Sequence, residues 1–393
     1  MDVEIKKLRE PEEYKQAKIN SAITFNFQID TESDALKEHR ADADTYGVFE
    51  DGKLVSQIIA YHFQMMYHGK YSRMCGIGDV CSLIGYRNRG YVRRLFHTIF
   101  DDEHKAGCLY SYLYPFSYKY YEKFGYGYGG SVIKAEIPIE RLEGYKCDYD
   151  VQMYQTGDPY DPYKEVFEKF ALQYTGSVER NDREWLDEFI PVKTHKFMYL
   201  FTENGVPRAF LGFRNYHNQG GSLHIDKDIA WDSPEAFRSI LGFLYQLRMH
   251  NDKLVIHLPQ SFPLEPMLTE QWGIKLERHA AGQSRIIDLA GALKAYPWPD
   301  ETGTLSIGVR DEYFEEQCGT FRINYSSNGV EIEKYNSEPD IEMDINSLSP
   351  LLLGAYGFED LKYYPAGKVS INKNIPVLEK VFTRKPVFVT ERF

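Results

Sequence analysis

Gly78-Asp79-Val80-Cys81-Ser82-Leu83-Ile84, followed after two residues by Arg87-Asn88-Arg89-Gly90-Tyr91-Val92, is the stretch on which the reading of this chain turns. The first seven residues are mostly apolar and read as a strand. The next six open a helix, because Val92, Leu95, Phe96, Ile99 and Phe100 recur at i, i+3, i+4, i+7 and i+8, one helical face. Lys105 and Gly107 stand where such a helix should stop. A glycine flanked by arginines therefore sits between a strand end and a helix N-terminus. Free backbone N–H groups and the positive end of the helix dipole converge there, and such a place binds phosphate. The loop itself holds neither Gly-x-Gly-x-x-Gly nor Gly-Lys-Ser/Thr, so it is not a dinucleotide fingerprint or a Walker loop. What remains is Arg-x-x-Gly-x-Val, a short anion cradle.

Outward from this point, 393 residues are too many for one ordinary core, so two or three domains are expected. Aromatic residues reach 15%, with 31 Tyr and 24 Phe, enough to line large clefts or subunit interfaces. A net charge of −12 argues against nucleic-acid binding and suits a cationic substrate without demanding one. The five cysteines (Cys75, Cys81, Cys108, Cys147 and Cys318) are odd in number and hold no Cys-x-x-Cys, so neither a disulfide framework nor a zinc site is expected. His97, His104 and His257 show no metal-ligand spacing. The N-terminus lacks a signal-peptide core, and no apolar run is long enough to span a membrane, so a cytoplasmic protein is expected.

Along the chain, strand and helix patterns alternate. Tyr46–Phe49 and Leu54–Ile59 flank Asp51-Gly52 as a hairpin. Cys108–Tyr114 reads as a strand closed by Pro115, then a short helix runs to Lys123, a turn follows at Phe124–Gly127, and a strand alternates through Ile133–Ile139. A second block repeats this outline: Phe197–Phe201 and Ala209–Phe213 flank Asn204-Gly205, Ser222–Ala230 reads as one strand, and a helix starts at Pro234. There Asp232 and Glu235 place carboxylates where the first block has arginines, so this copy should repel a phosphate. A third block begins with a helix at Asp288–Leu293, continues in short strands and contains a buried helix at Ile345–Gly354. The apolar tail Pro386–Phe393 suggests a docked C-terminus.

The cradle at Arg87, Gly90 and Val92, with Tyr121, Phe124, Gly125 and Tyr126 downstream of a strand, resembles the GNAT superfamily of acyl-coenzyme A N-acyltransferases. Val92 replaces the family's usual small residue but keeps the N–H that binds. The order of blocks resembles the Eis (enhanced intracellular survival) acetyltransferases over essentially the whole chain. The resemblance implies an α/β fold with mixed sheets: an active GNAT domain (1–145), a degenerate GNAT-like domain (146–285) and a sterol-carrier-like domain (286–393). It implies acetyl-CoA as co-substrate, without a metal. Val80, Cys81, Ser82, Arg87, Asn88, Arg89, Gly90, Tyr91, Val92, Arg93 and Tyr121 would hold it. The acceptor would be a small-molecule or lysine amine, and the assembly a homo-oligomer such as a hexamer. It implies Tyr126 as general acid and the Phe393 carboxylate as general base. An ammonium must lose a proton before it attacks. An α-carboxylate with a pKa of roughly 3.3–3.7 becomes a useful base only if burial raises it. A backbone N–H at Val80–Ser82 would hold the thioester oxygen if the strand splays there. Asp30, Glu32 and Asp34 read as a solvated loop. Two other readings stay open: a lipid-binding protein using the third block with a silent enzyme, and a long-chain acyltransferase resembling N-myristoyltransferases.

Overall fold

The computed structural model describes residues 2–182, 184–185, 189, 196–216, 221–268 and 270–391. They fall into two units: the chain up to Gly129 with Gly282–Arg384, and Gly130–Ala281 with Lys385–Glu391.

In the first unit, β1 (Val3–Lys7), β2 (Ala43–Glu50), β3 (Lys53–Tyr67) and β4 (Lys70–Ser82) pair antiparallel in chain order. The β2–β3 hairpin turns on Asp51 and Gly52, both at positive φ (49° and 79°), as the Asp-Gly pair requires. β5 (Tyr110–Leu113) lies parallel to β4, and such a pairing needs a crossover. Helix α2 (Tyr91–Lys105) supplies it, after α1 (Pro11–Phe25) earlier in the chain. The apolar stripe explains how α2 docks: Leu95, Phe96 and Ile99 are 0% exposed and Phe100 1%. Each such side chain contributes roughly 1.5–3 kcal/mol when fully buried. Val92, at the same face's N-terminal end, is only half-buried. A short helix α3 (Tyr118–Glu122) and β6 (Gly127–Tyr128) follow.

The sheet is completed from far along the chain. Gln283–Ile286 inserts between β5 and β6, pairing Gln283 with Leu113 and with Tyr128. Ser131–Pro138, read with the first block, instead pairs with Lys253–Pro259 and Lys275–Ala280 in the second unit's sheet. The expected divisions at 145 and 285 thus run past a strand that belongs to the second sheet and cut off one that belongs to the first. A strand's own residues set its alternation but not its partner, which lies far along the chain in both cases.

The second unit repeats the first's logic. Ser222–Ile225 lies parallel to Lys253–Pro259, with the helix Pro234–Gln246 between them in sequence. Ser233 caps that helix, its hydroxyl accepting from the Ala236 N–H. Asp232 pairs with Arg208 at 3.1 Å and Glu235 with Arg238 at 2.6 Å. The single strand expected over Ser222–Ala230 is two, Ser222–Ile225 and Ile229–Trp231. They break at Asp226-Lys227-Asp228, where the Asp228 carboxylate turns to Lys196 at 2.6 Å. The tail packs in this unit as far as Glu391. Thr175 N donates to Pro386 O and Phe388 N donates to Thr175 O, and Glu391 pairs with Arg180 (2.5 Å) and Lys227 (2.6 Å).

Residues after 288 add a five-stranded sheet ordered 329–334, 319–326, 303–310, 341–344, 369–371 to the first unit. The helix Ile345–Leu353 is capped by Asp344 and ends at Gly354.

Candidate active site

The site begins where β4 and β5 part. Their parallel pairing runs from Met74–Tyr110 to Ile77–Leu113 and stops, because β5 ends while β4 continues to Ser82. On its other side β4 pairs Gln57 with Cys81 and Ile59 with Gly78. Two residues, Asp79 and Val80, therefore face one, Ile58, in a β-bulge, and Asp79 takes a positive φ of 51°. Its carboxylate repays that conformation by accepting from Gln57 Nε2 at 2.6 Å and from the Ser21 hydroxyl. Burial pushes the Asp79 carboxyl up, against the pull of these two donors. The bulge and the splay leave β4 without a β5 partner along Val80–Ser82, the segment expected to offer an N–H to a thioester oxygen.

The cradle lies just beyond. Asn88 (φ 65°) and Gly90 (φ 76°) turn the chain, and Tyr91 starts α2. The first intrahelical bond runs from Arg94 N to Gly90 O, which leaves the N–H groups of Tyr91, Val92 and Arg93 outside the helical ladder. Glu50 braces the loop from β2. It accepts two bonds from Arg89 Nη1 (2.7 and 2.9 Å) and one from the Tyr91 hydroxyl. The Tyr91 and Arg89 bonds hold the Glu50 carboxyl below its usual range. Arg89 and Tyr91 are thereby committed to the loop itself. Arg87 bonds only weakly to Ser82 O (3.3 Å), and Arg93 lies 3.8 Å from an exposed Glu312.

A cavity of about 630 Å³ joins these parts. Val80, Cys81, Ser82, Arg87, Asn88, Arg89, Gly90, Tyr91, Val92 and Arg93 all line it. So do Phe124, from the motif downstream, and residues given no role from the sequence: Thr24 and Phe25 from the last turn of α1, Tyr86, Phe116, Tyr120 and Lys123. Phe25 and Phe116, 52% and 74% exposed, are large apolar residues left at its mouth. Lys123 Nζ sits 3.8 Å from the centre of the Tyr120 ring. Burial pushes the Cys81 thiol up to about 12, so it stays protonated and unreactive.

Tyr121 and Tyr126 are not among the lining residues. Tyr126 is 0% exposed, and its hydroxyl lies 2.6 Å from Ser111 Oγ. Ser111 donates its own proton to Cys75 O, so Tyr126 is the donor in that bond. Its proton points into the core, and burial raises its pKa well above the ordinary phenol. The positive-φ turn at Gly125 is what sends residue 126 inward. Tyr121 stands directly behind the lining: its ring meets Phe116 at 5.5 Å and Tyr120 at 5.1 Å. Burial raises its pKa too, and its hydroxyl has no hydrogen-bond partner among the described residues. Phe393 and Arg392 lie outside the described residues. Asp30, Glu32 and Asp34 are exposed and do not line the cavity. Among the described residues no group of three or more His, Cys, Asp or Glu could hold a metal ion.

Residues 4–129 match an acetyltransferase (GNAT) domain family, residues 176–286 a second acetyltransferase (GNAT) domain family, and residues 289–390 a sterol carrier protein domain family. No curated protein matches the sequence significantly. Several solved structures share the fold along the whole length. A probable N-acyltransferase from Enterococcus faecalis is 21% identical, with a TM-score of 0.85 over 98% of each chain. A GCN5-related N-acetyltransferase from Anabaena variabilis is 19% identical, with a TM-score of 0.86 over 100% of each. Eis1 from Mycobacterium abscessus is 20% identical, with a TM-score of 0.84 over 100% of each. The chain thus carries two segments that match acetyltransferase (GNAT) domain families, followed by one that matches a sterol carrier protein domain family, and it shares its fold with Eis1.

Proposed function

We propose that the first unit transfers an acetyl group from acetyl-CoA to a primary amine by direct attack. The observation that carries this is the cavity that runs from the bulge at Asp79–Val80 to the N–H cradle at Gly90. In this reading Arg87 and the N–H groups of Val92 and Arg93 hold the pyrophosphate. The free edge of β4 at Val80–Ser82 orients the thioester carbonyl and donates to its oxygen as charge develops. Phe25, Phe116, Tyr120 and Phe124 exclude water around the pantetheine arm.

Tyr121, rather than Tyr126, is the phenol that meets the departing thiolate. Its hydroxyl is unspent and its ring backs the lining, whereas Tyr126 donates into the core. A buried phenol is a weaker acid than a thiol of pKa about 8.5. It therefore acts by hydrogen-bonding the thiolate, with the proton resting on the phenol side. The C-terminal carboxylate of Phe393 is the base that takes the ammonium proton. Aminoglycosides, polyamines and lysine side chains are the acceptors to try, and a cytoplasmic homo-oligomer, a hexamer among the possible forms, is the state to look for.

The test is thiol release from acetyl-CoA, and from longer acyl-CoAs, against a panel of these amines. No release with any of them, together with no coenzyme A binding, would sink the proposal. The lipid-binding reading fits poorly with the cavity of about 1100 Å³ at the end of the third sheet. That cavity is lined by Lys119, Arg310, Glu342 and Lys368, charges that an apolar ligand would have to desolvate.

A further inference from the structure

One wall of the acetyl-CoA cavity is built on a short segment that side chains from far along the chain brace. Tyr120, Lys123 and Phe124 belong to α3 and the turn after it. Five residues are too few for a self-supporting helix, and the last carbonyls of any helix lack partners within it. Here the turn's own amides reach two of them, Gly125 N bonding Glu122 O and Phe124 N bonding Tyr121 O, both at 3.0 Å, and side chains from much later in the chain brace the segment from behind. Asn346 Nδ2 donates to Glu122 O (2.7 Å) and to Tyr126 O (2.9 Å). Arg285 Nη1 donates to Phe124 O (3.0 Å), and Gln283 Nε2 reaches Tyr118 O (3.3 Å) and Tyr126 O (3.4 Å). The donors are themselves fixed. Arg285 is gripped by both oxygens of Asp311 at 2.9 Å, and Asn346 lies in the first turn of the helix that Asp344 caps. The approach is close: a Cβ on Gly127 would fall 1.8 Å from Asn346 O.

Asn346 lies within the sterol carrier protein match, and Glu122 and Tyr126 within the first acetyltransferase match. We propose that Asn346 is a positioning residue for acetyl-CoA. By bridging the two carbonyls on either side of the Lys123–Gly125 turn, it sets the wall formed by Tyr120, Lys123 and Phe124. The sterol carrier domain is thereby a working part of the coenzyme site rather than a separate binding module. This inference rests on the acetyl-CoA reading above.

The test uses the full chain and two variants. Asn346→Ala deletes both donors. Asn346→Asp keeps the size, removes the donors and places a carboxylate in a helix's first turn, where it is favoured. KM for acetyl-CoA should rise about tenfold in both, a change worth about 1.4 kcal/mol. KM for the amine should stay fixed, and both variants, though lower in melting temperature for the two lost hydrogen bonds, should stay fully folded at the assay temperature. A purely structural role would instead lower the active fraction, so kcat would fall with KM for acetyl-CoA unmoved. That result, or no change in either constant, overturns the inference. A wild-type chain that neither binds coenzyme A nor releases thiol refutes the acetyl-CoA reading itself, and this inference with it.

Discussion

Gly90→Ala separates the anion cradle from ordinary loop stability. Gly90 has φ 76° and ψ 8°, and a Cβ built there meets nothing within 4 Å. The substitution therefore adds no clash; its whole cost is the left-handed backbone, about 1–2 kcal/mol for a non-glycine residue. The β2–β3 turn offers a matched control, because Gly52 has φ 79° and equally open space. Each substitution should lower the melting temperature similarly, by about 2–4 °C per kcal/mol for a unit of this size. They should part on ligand binding. Where the loop relaxes to escape the left-handed region, the N–H groups of Tyr91–Arg93 swing off the phosphate, and coenzyme A must pull them back. The part of that 1–2 kcal/mol that relaxation spares the free fold then appears in binding, weakening Kd by up to about 5- to 30-fold at a tenfold change per 1.4 kcal/mol. Gly52→Ala should bind as the wild type does. Calorimetric titration with coenzyme A, paired with thermal melts, measures both quantities. If the two alanine variants melt alike and bind alike, Gly90 is not part of a phosphate site and the cradle argument is wrong.

Tyr121→Phe should reduce kcat by about 100-fold, the low end for losing a hydrogen-bond donor to charge that develops in the transition state. Tyr126→Phe should cost about 1 kcal/mol of stability for its bond to Ser111 and leave kcat within a few-fold; the reverse pattern in steady-state assays restores Tyr126 as the acid. Residues appended after Phe393 should abolish thiol release while coenzyme A titrations stay normal, and an extended chain that turns over fully removes the terminal carboxylate as base. Burial opposes charge on Glu391, but Arg180 and Lys227 outweigh it and hold its folded pKa below the ordinary value. A depressed carboxylate stabilises the fold above its unfolded pKa of about 4.3 and loses that contribution as pH falls through the folded value. The stability gap between wild type and Glu391→Gln, followed by denaturant melts, should accordingly be flat near neutrality and close in acid; a gap that widens on acidification contradicts the ion pair.

Much of the scaffold is legible in local sequence. Asp51-Gly52 and Asn204-Gly205 turn hairpins because those residues tolerate positive φ. The stripe from Leu95 to Phe100 buries because a 3.6-residue period puts it on one face. Arg87–Arg93 form a cradle because glycine precedes a helix start. Such features depend on neighbours a few residues apart, and so does the acidic contrast at Asp232 and Glu235.

The tertiary structure decided what depends on pairing at a distance. The strand expected over Ile133–Ile139 forms, as Ser131–Pro138, and Gln283–Ile286 is a strand that was not expected; the partners that assign both lie more than a hundred residues away. The bulge at Asp79 follows from the register against β3 and from Ser21 and Gln57, none of which is adjacent in sequence. Tyr121 and Tyr126 lie in one short motif, yet a single turn at Gly125 sends the second into the core and leaves the first behind the cavity wall. Asn346 carries no local signal at all, because it acts only on carbonyls that the fold brings to it from more than two hundred residues earlier. The kind of chemistry is legible locally, since an anion cradle is built from consecutive residues. Which side chains complete it was decided by long-range packing.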